Sequence, residues 1–270
     1  MFDDLRAREL KEEYKSRNIV DEKAFYDIWR EVISKDENLM SRALNGGIVS
    51  DCFSWVFLSG YQSAISHTFS EVNKDDWASF AVSEDKRGEK PGLSWTNSDG
   101  VFVLDGYKTW VAGVGQTRQL VVKAGRGEGA LYFCVDRETE GLSFERKEKG
   151  FLPEMSEGIA CFNDVSLSHE KLVSHGRVHL FGKSEILYIY LSFCGLVIGH
   201  TDDVNTSDVC WGLAKTVGTA LQNDDYSEIK NIDHQIQEIR SKGQDSINGV
   251  PGWESDQKLI AMYSKGIQRN

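Results

Sequence analysis

Residues 104–113 read Leu-Asp-Gly-Tyr-Lys-Thr-Trp-Val-Ala-Gly and stand in the middle of the β-rich stretch that decides the fold. From Trp77 to Leu167, short runs of β-branched and aromatic residues are separated by turn-forming residues, a pattern typical of strands. We predict eight strands, at 77–83, 92–97, 100–105, 107–113, 119–124, 130–136, 142–148 and 158–167. So many short strands in about ninety residues predict a small barrel or sandwich rather than a βαβ unit.

Two turn signals lie inside this stretch. Asn97-Ser98-Asp99-Gly100 and Asp105-Gly106 both stand between alternating apolar residues. Asn-Gly and Asp-Gly type sequences favour the tight turns of β-hairpins, because glycine and asparagine tolerate a positive φ. We therefore predict a hairpin at each position.

Helical periodicity flanks the strands on both sides. In the first seventy residues apolar side chains recur every three or four positions, and either Asn18 or Asp21 is placed to cap the second helix. Gly46-Gly47 interrupts this pattern, and residues 52–69 are apolar nearly all round, which predicts an interior helix. Four further helices are predicted at 180–204, 209–221, 228–246 and 254–268.

The composition excludes several classes of protein. The chain has 270 residues, is 40% hydrophobic and carries a formal net charge of −11 without any basic block, which argues against a nucleic-acid surface. No apolar run approaches the ~20 residues of a membrane span, and the charged first residues do not form a secretory signal. We expect a cytoplasmic protein. The five scattered cysteines predict buried free thiols, and the six histidines show no metal-ligand spacing.

Three segments resemble the acyl-CoA dehydrogenase family. Residues 80–84, Phe-Ala-Val-Ser-Glu, resemble the strand that begins the family's β-domain. Residues 104–113 are similar to its L-x-G-x-K-x-W-I segment, and residues 159–167 to the final strand before the central helix. The resemblance implies an α+β fold with an N-terminal helical segment (1–75), a central small β-barrel or sandwich (76–172) and a C-terminal helical bundle (173–270), both helical parts being shortened.

The resemblance also implies a cofactor and a reaction. Members of the family bind FAD and desaturate acyl thioesters between the α and β carbons, transferring a hydride to the flavin. The positions that match the family's flavin wall are Phe80, Val82, Ser83, Trp110 and Ala112. Taken alone, a tryptophan such as Trp110 is more commonly an ordinary core aromatic, and Ser83 is no better than a turn residue. Ala112 replaces a hydroxyl residue of the family, which removes one hydrogen bond toward the flavin.

The reaction needs a carboxylate base, which the family places in one of two positions. At the C-terminal position this chain has Ser264, so no base is available there. At the other position, on the central helix, Glu185 lies ten residues before Gly195. Glu185 is therefore our candidate base. The alternative is that it stands in the first turn of a helix and is stabilised by the helix dipole.

Two segments are candidates for binding the phosphate groups of coenzyme A or of the flavin. Lys86, Arg87 and Lys90 either pair with the phosphates of coenzyme A or belong to a solvated loop. Residues 244–253 either resemble weakly the family's pyrophosphate-binding segment or form a glycine-rich cap at the C-terminus of a helix. The resemblance implies an acyl-CoA or acyl-carrier-protein thioester as substrate, and a homodimer or an oligomer with a related subunit. A second hypothesis is a non-catalytic binding or scaffold subunit that acts with a full-length relative.

Overall fold

The computed structural model describes residues 2–15, 18–247 and 249–268. The chain divides into two compact units. A helical unit contains Met1–His67 and Leu180–Asn270, and a β unit contains Thr68–His179. Residues from the two ends of the sequence therefore form one helical unit, while the intervening residues form the strands. The α+β class predicted from the sequence is confirmed.

Four helices of the helical unit begin at a capping side chain. Asp3, Asp21, Asn38 and Asp203 each accept hydrogen bonds from backbone N–H groups of the first turn. Of the two predicted caps of the second helix, Asp21 is the one used. The helices are α1 Asp4–Tyr14, α2 Glu22–Ile28 with a π-helical continuation at Trp29–Ile33, α3 Leu39–Val49, α4 Phe53–Thr68, α5 Phe181–His200, α6 Val204–Gln222, α7 Ile229–Ser246, α8 Trp253–Asp256 and α9 Lys258–Gln268.

Glycines set the spacing of α3 and α5. An added Cβ at Gly47 would lie 1.9 Å from the carbonyl oxygen of Ser192, and one at Gly195 would lie 2.1 Å from that of Leu44. The two backbones therefore touch, which only residues without a Cβ permit. The sequence-based expectation that Gly46-Gly47 interrupts the helix is wrong, because both residues lie inside α3, where tight packing offsets their low helix propensity.

The β unit contains two sheets. Its strands are β1 Ala78–Ala81, β2 Ser94–Ser98, β3 Val101–Ala112, β4 Gln119–Ala124, β5 Leu131–Asp136, β6 Leu142–Arg146 and β7 Glu157–Ser168. One sheet has the order β1-β4-β5, with β1 and β4 parallel, and the other has the antiparallel order β2-β3-β7-β6. The core of the unit is apolar and includes Phe102, Leu104, Val111, Leu120 and Phe133.

One of the two predicted hairpin turns is present and the other is not. Asp99 and Gly100 have φ angles of 54° and 84° and connect β2 to β3, as the sequence predicts. Asp105-Gly106 is not a turn, because residues 101–112 form one continuous strand. Gly106, with φ 123°, sits at a register shift in the pairing of β3 with β7. Two of the eight predicted strands are therefore one bulged strand.

The longest apolar helical stretch is buried in the protein core. Among the described residues, only the helical stretch 175–200 is long and apolar enough to cross a membrane, and 78% of its most apolar window is buried inside the protein. Continuous burial, rather than lipid, therefore explains its composition.

Candidate functional site

Glu185 lies in the second turn of α5. The helix begins at Phe181 and has no acidic residue in its first turn, so the helix-dipole alternative does not apply. The residue is half-buried. Burial raises the pKa of the Glu185 carboxyl to about 7, because removal from water disfavours the charged form. A hydrogen-bonding interaction with the Tyr263 hydroxyl acts in the opposite direction and stabilises the anion.

The interaction partner of Glu185 is a tyrosine side chain, which has further tyrosines near it. Tyr263 on α9 is half-buried, and its pKa is raised well above the usual value by burial and by the neighbouring Glu185. Tyr61 on α4 and Tyr190 on α5 also act on Tyr263, and both are buried. Within the described residues, the Glu185 carboxyl thus has one hydroxyl partner, Tyr263, and its pKa is set by burial and by that interaction. Such a carboxyl exchanges a proton near neutral pH.

A buried carboxylate on α7 is hydrogen-bonded to the helices that carry Glu185 and Tyr263. Asp233 on α7 is 1% exposed and accepts four hydrogen bonds, from Tyr190 (2.6 Å), Gln237 (3.1 Å), Ser264 (2.8 Å) and Gln268 (3.1 Å). Ser264 occupies the position at which the family resemblance would place a glutamate. Here its hydroxyl donates a hydrogen bond to Asp233 and so connects α9 to α7.

The raised pKa of Glu185 predicts how stability depends on pH. The usual pKa of a glutamate side chain is 4.5, and below this pH the Glu185 carboxyl is protonated in both the folded and the unfolded chain. Between pH 4.5 and about 7 the unfolded chain releases this proton while the folded chain retains it, so stability falls as pH rises. For a half-buried group we expect a loss of about 2 kcal/mol. Urea unfolding at several pH values measures it, and Glu185→Gln should remove this part of the pH dependence.

In the β unit, two of the predicted flavin-wall residues line an open groove. Phe80 on β1 is buried and Val82 is 38% exposed. Both contribute to a groove of about 590 Å³ that is also lined by Tyr132 on β5 and by His175 and His179. Phe80 stacks on Tyr132 with ring centroids 6.1 Å apart, and Tyr132 meets the ring of His175 edge-on at 5.1 Å. This face of the sheet offers aromatic and apolar surface to a planar ligand.

Ser83 and Trp110 lie on neighbouring backbone segments. The amide of Thr109 donates a hydrogen bond to the carbonyl of Ser83 over 2.9 Å, which places residues 82–83 beside the middle of β3. Ser83 is exposed and Trp110 is half-buried. Ala112 differs from them: it is 0% exposed, and its N–H donates to the Ser79 hydroxyl (3.2 Å). Since Ala112 offers no surface, we leave it out of the candidate flavin wall.

Glu84, the residue after Ser83, has a structural partner. Its carboxylate is 2.7 Å from the Nζ of Lys108, a side chain that is 1% exposed. Burial lowers the pKa of Lys108, and the hydrogen bond with Glu84 opposes that shift by stabilising the cation. The Ser-Glu pair in the sequence thus joins two roles, an exposed hydroxyl and the counter-ion of a buried lysine.

The basic loop that follows is only partly available to a ligand. The side chain of Asp85 accepts hydrogen bonds from the amides of Arg87, Glu89 and Lys90, which lower the pKa of its carboxyl and organise the loop. Lys90 is 3.1 Å from Glu145 and lies over the ring of Tyr107. Lys86 and Arg87 are exposed. Of the three predicted phosphate partners, Lys90 is already paired with a carboxylate.

The segment 244–253 is described in part. The side chains of residues 243–246 and the whole of Asn248 lie outside the described residues. Gly252, with φ 69°, precedes α8, and Trp253 packs against Phe53 and Phe193 with ring centroids 5.3 and 6.0 Å apart. The tryptophan at the end of this segment is therefore a core residue of the helical unit.

Comparison with solved structures gives the same architecture. Butyryl-CoA dehydrogenase from Megasphaera elsdenii aligns over 99% of this chain and 99% of its own, with a TM-score of 0.64 and 10% identity. The chain has the acyl-CoA dehydrogenase fold. A structure described as a FAD-dependent dehydrogenase aligns over 98% of this chain and 91% of its own (TM-score 0.65, 14% identity). The prolyl acyl carrier protein oxidase AnaB aligns over 97% and 92% (TM-score 0.68, 11% identity). No protein-family model and no curated protein matches the sequence.

In the β unit, three of the predicted flavin-wall residues offer packing surface or a hydroxyl group. Val82 offers exposed apolar surface, Ser83 an exposed hydroxyl and Trp110 a half-buried aromatic ring, all on adjoining backbone segments. A planar apolar ring with polar atoms along its edge needs this combination of packing surface and hydrogen-bond donor. Among residues 2–15, 18–247 and 249–268, no group of three His, Cys, Asp or Glu side chains is placed to hold a metal ion.

Proposed function

We propose that this protein is a FAD-dependent oxidoreductase that desaturates an acyl thioester between its α and β carbons. The observation that carries the proposal is Glu185, a half-buried carboxyl on the central helix of the fold whose pKa is raised to about 7. A base that removes a weakly acidic α-proton works best when its pKa is close to the working pH. Glu185 meets this requirement.

In this reaction Glu185 is the proton acceptor. Its ionised carboxylate takes the α-proton and becomes a carboxylic acid, while the β-hydrogen leaves with its electron pair. Bound FAD would supply the acceptor for that hydride. The Tyr263 hydroxyl interacts with the Glu185 carboxyl as a hydrogen-bond donor and so keeps a fraction of it ionised at neutral pH.

In the β unit, we assign flavin binding to Phe80, Val82, Ser83 and Trp110. Val82 and Trp110 supply packing surface, and the Ser83 hydroxyl supplies a hydrogen bond to the edge of the ring. Phe80 lines the groove beside Val82, and its ring contacts Phe69 with centroids 4.9 Å apart. Ala112 has no side-chain hydroxyl to donate to the flavin, so we expect the flavin to be held less tightly than by a chain with a hydroxyl there.

The thioester carrier is either coenzyme A or an acyl carrier protein. Lys86 and Arg87 are the exposed cations of the loop at 85–92 and are the candidates for a phosphate of either carrier. We propose that the chain acts as a homodimer or together with a related subunit, as the family resemblance implies.

A second candidate function is a non-catalytic subunit of the same fold. Two substitutions favour it: Ser264 at the position of the family's usual base, and Ala112 at the position of a flavin-binding hydroxyl. In that case the chain would bind an acyl thioester or a partner without oxidising it.

The two candidates are separated by the flavin spectrum. We expect the protein, purified and saturated with FAD, to show a bound flavin spectrum that bleaches under anaerobic conditions when a series of acyl thioesters is added. Bleaching by at least one member of the series, in stoichiometric amount, supports the dehydrogenase. Flavin that binds and stays oxidised with every acyl chain, or no flavin binding without a partner subunit, supports the second candidate.

A further inference from the structure

The Asp233 carboxylate is the centre of a buried polar network that joins three helices of the helical unit. Its Oδ1 accepts from Tyr190 on α5 and Gln237 on α7, and its Oδ2 accepts from Ser264 and Gln268 on α9. Four donors fill the acceptor sites of a carboxylate. Among the described residues no lysine or arginine is paired with it, so these hydrogen bonds alone compensate a charge that is 1% exposed.

Burying a carboxylate is costly, and apolar side chains in place of buried charged groups are often equally or more stable. Two of the four donors, Ser264 and Gln268, belong to the last helix. Tyr263, the residue before Ser264, is the one whose hydroxyl interacts with Glu185. Tyr190, a third donor, is five residues after Glu185 on the same helix. The network thus ties the helix that carries the base to the helix that carries its hydrogen-bond donor.

We propose that Asp233 is a positioning residue: it fixes α9 against α5 and thereby holds the Tyr263 hydroxyl at the Glu185 carboxyl. The catalytic role of this arrangement rests on the proposed function, whereas the hydrogen bonds of Asp233 do not depend on it. Ser264, which stands where a base would be expected, then has a defined task as one of the two links between α9 and Asp233.

An electrostatic role of Asp233 predicts the opposite effect from a positioning role. If Asp233 acted on Glu185 through its charge, neutralising it would make ionisation of Glu185 easier and lower its pKa. If Asp233 acts by placing Tyr263, neutralising it removes a donor from the Glu185 anion and raises that pKa. The groups that act on the pKa of Tyr263 are Glu185, Tyr61 and Tyr190, and Asp233 is not among them. Asp233 is connected to Tyr263 through α9, by its bonds with Ser264 and Gln268, and through Tyr190.

The test is the titration of Glu185 in the full chain, followed by the ¹³C shift of its carboxyl carbon, with Glu185→Gln identifying the signal. In Asp233→Asn, the NH₂ group replaces either Oδ1 or Oδ2, and each of these oxygens accepts from two donors. At least one hydrogen bond to α9 or α5 must therefore break or change its direction. We expect Asp233→Asn and Tyr263→Phe each to raise the midpoint by about 0.5 to 1 pH unit, the equivalent of one hydrogen bond. In the double variant the two shifts should not add.

Two further variants keep the test decisive. Ser264→Ala removes one of the four donors without adding volume, and should raise the midpoint in the same direction by a smaller amount even if Asp233→Asn folds poorly. Asp208→Asn makes the same chemical change on the exposed surface of α6 and should leave the midpoint unchanged. A midpoint that stays or falls in Asp233→Asn and Ser264→Ala overturns the proposal. Because the titration needs no flavin, its outcome is independent of whether the protein desaturates a thioester.

Discussion

Glu185→Gln should keep bound flavin and lose nearly all of its reduction by substrate. Glutamine has almost the same shape as glutamate and still meets the Tyr263 hydroxyl, but it accepts no proton at neutral pH. General base catalysis contributes about 10² to 10⁴ in rate, so we expect flavin bleaching by an acyl thioester to slow by about 10³-fold. Anaerobic stopped-flow absorbance of the two proteins, each saturated with FAD, measures this ratio.

Glu228→Gln is the matched control for this prediction. Glu228 is exposed just before α7, where its carboxylate accepts a hydrogen bond from Asn231 over 3.3 Å, and it has no contact with Glu185. Its replacement should leave the bleaching rate within about twofold, since exposed substitutions of this kind rarely change stability by more than ~0.5 kcal/mol. A Glu185→Gln protein that bleaches at the wild-type rate would assign the base to another residue.

The largest effect on stability is expected at Gly195. A Cβ at this position would lie 2.1 Å from the backbone carbonyl oxygen of Leu44 and 3.0 Å from the Cα of Gly47. Both neighbours are backbone atoms of α3, so no side chain can turn away and the helices themselves must separate. We expect Gly195→Ala to cost about 3 kcal/mol or more in the free energy of unfolding. Urea denaturation gives this value directly.

Gly212→Ala provides the opposite case on a neighbouring helix. Gly212 lies on the exposed side of α6, and an added Cβ would meet no atom within 4 Å. There the gain in helix propensity should stabilise the protein by about 0.5 to 1 kcal/mol. If both substitutions changed stability alike, the close approach of α3 and α5 would not exist in the folded protein.

Most of the fold could be predicted from local patterns. The strands follow from alternation and from turn residues such as Asp99 and Gly100, and the long buried helix follows from an apolar run of residues. The helix predicted at 254–268 is two helices, α8 and α9, and two further misreadings concern glycine. Gly106 looks like a turn and is a bulge in β3, and Gly46-Gly47 looks like a helix break and is a packing surface. In both cases the neighbouring segment, which the local sequence does not contain, decides the role of the glycine.

Of the residues in the candidate site, the sequence predicts only the one whose role is visible in its local sequence. Glu185 is a lone carboxylate at the start of an apolar helix, which is readable from the chain. Its partner Tyr263 is almost eighty residues away, and no periodicity indicates which helices touch. Asp233 left a weaker signal that we missed: it lies among Ile229, Ile232 and Ile236, on the apolar face of α7, where a charged side chain requires buried hydrogen-bond donors.

The mass of the thioester after a single anaerobic turnover tests the central claim most directly. The FAD-saturated protein is mixed with a stoichiometric acyl thioester, quenched once the flavin absorbance is constant, and the thioester is analysed by mass spectrometry. Desaturation predicts a product that has lost two hydrogen atoms, in an amount equal to the flavin bleached. A thioester recovered with its original mass, for every acyl chain that binds, would contradict the account.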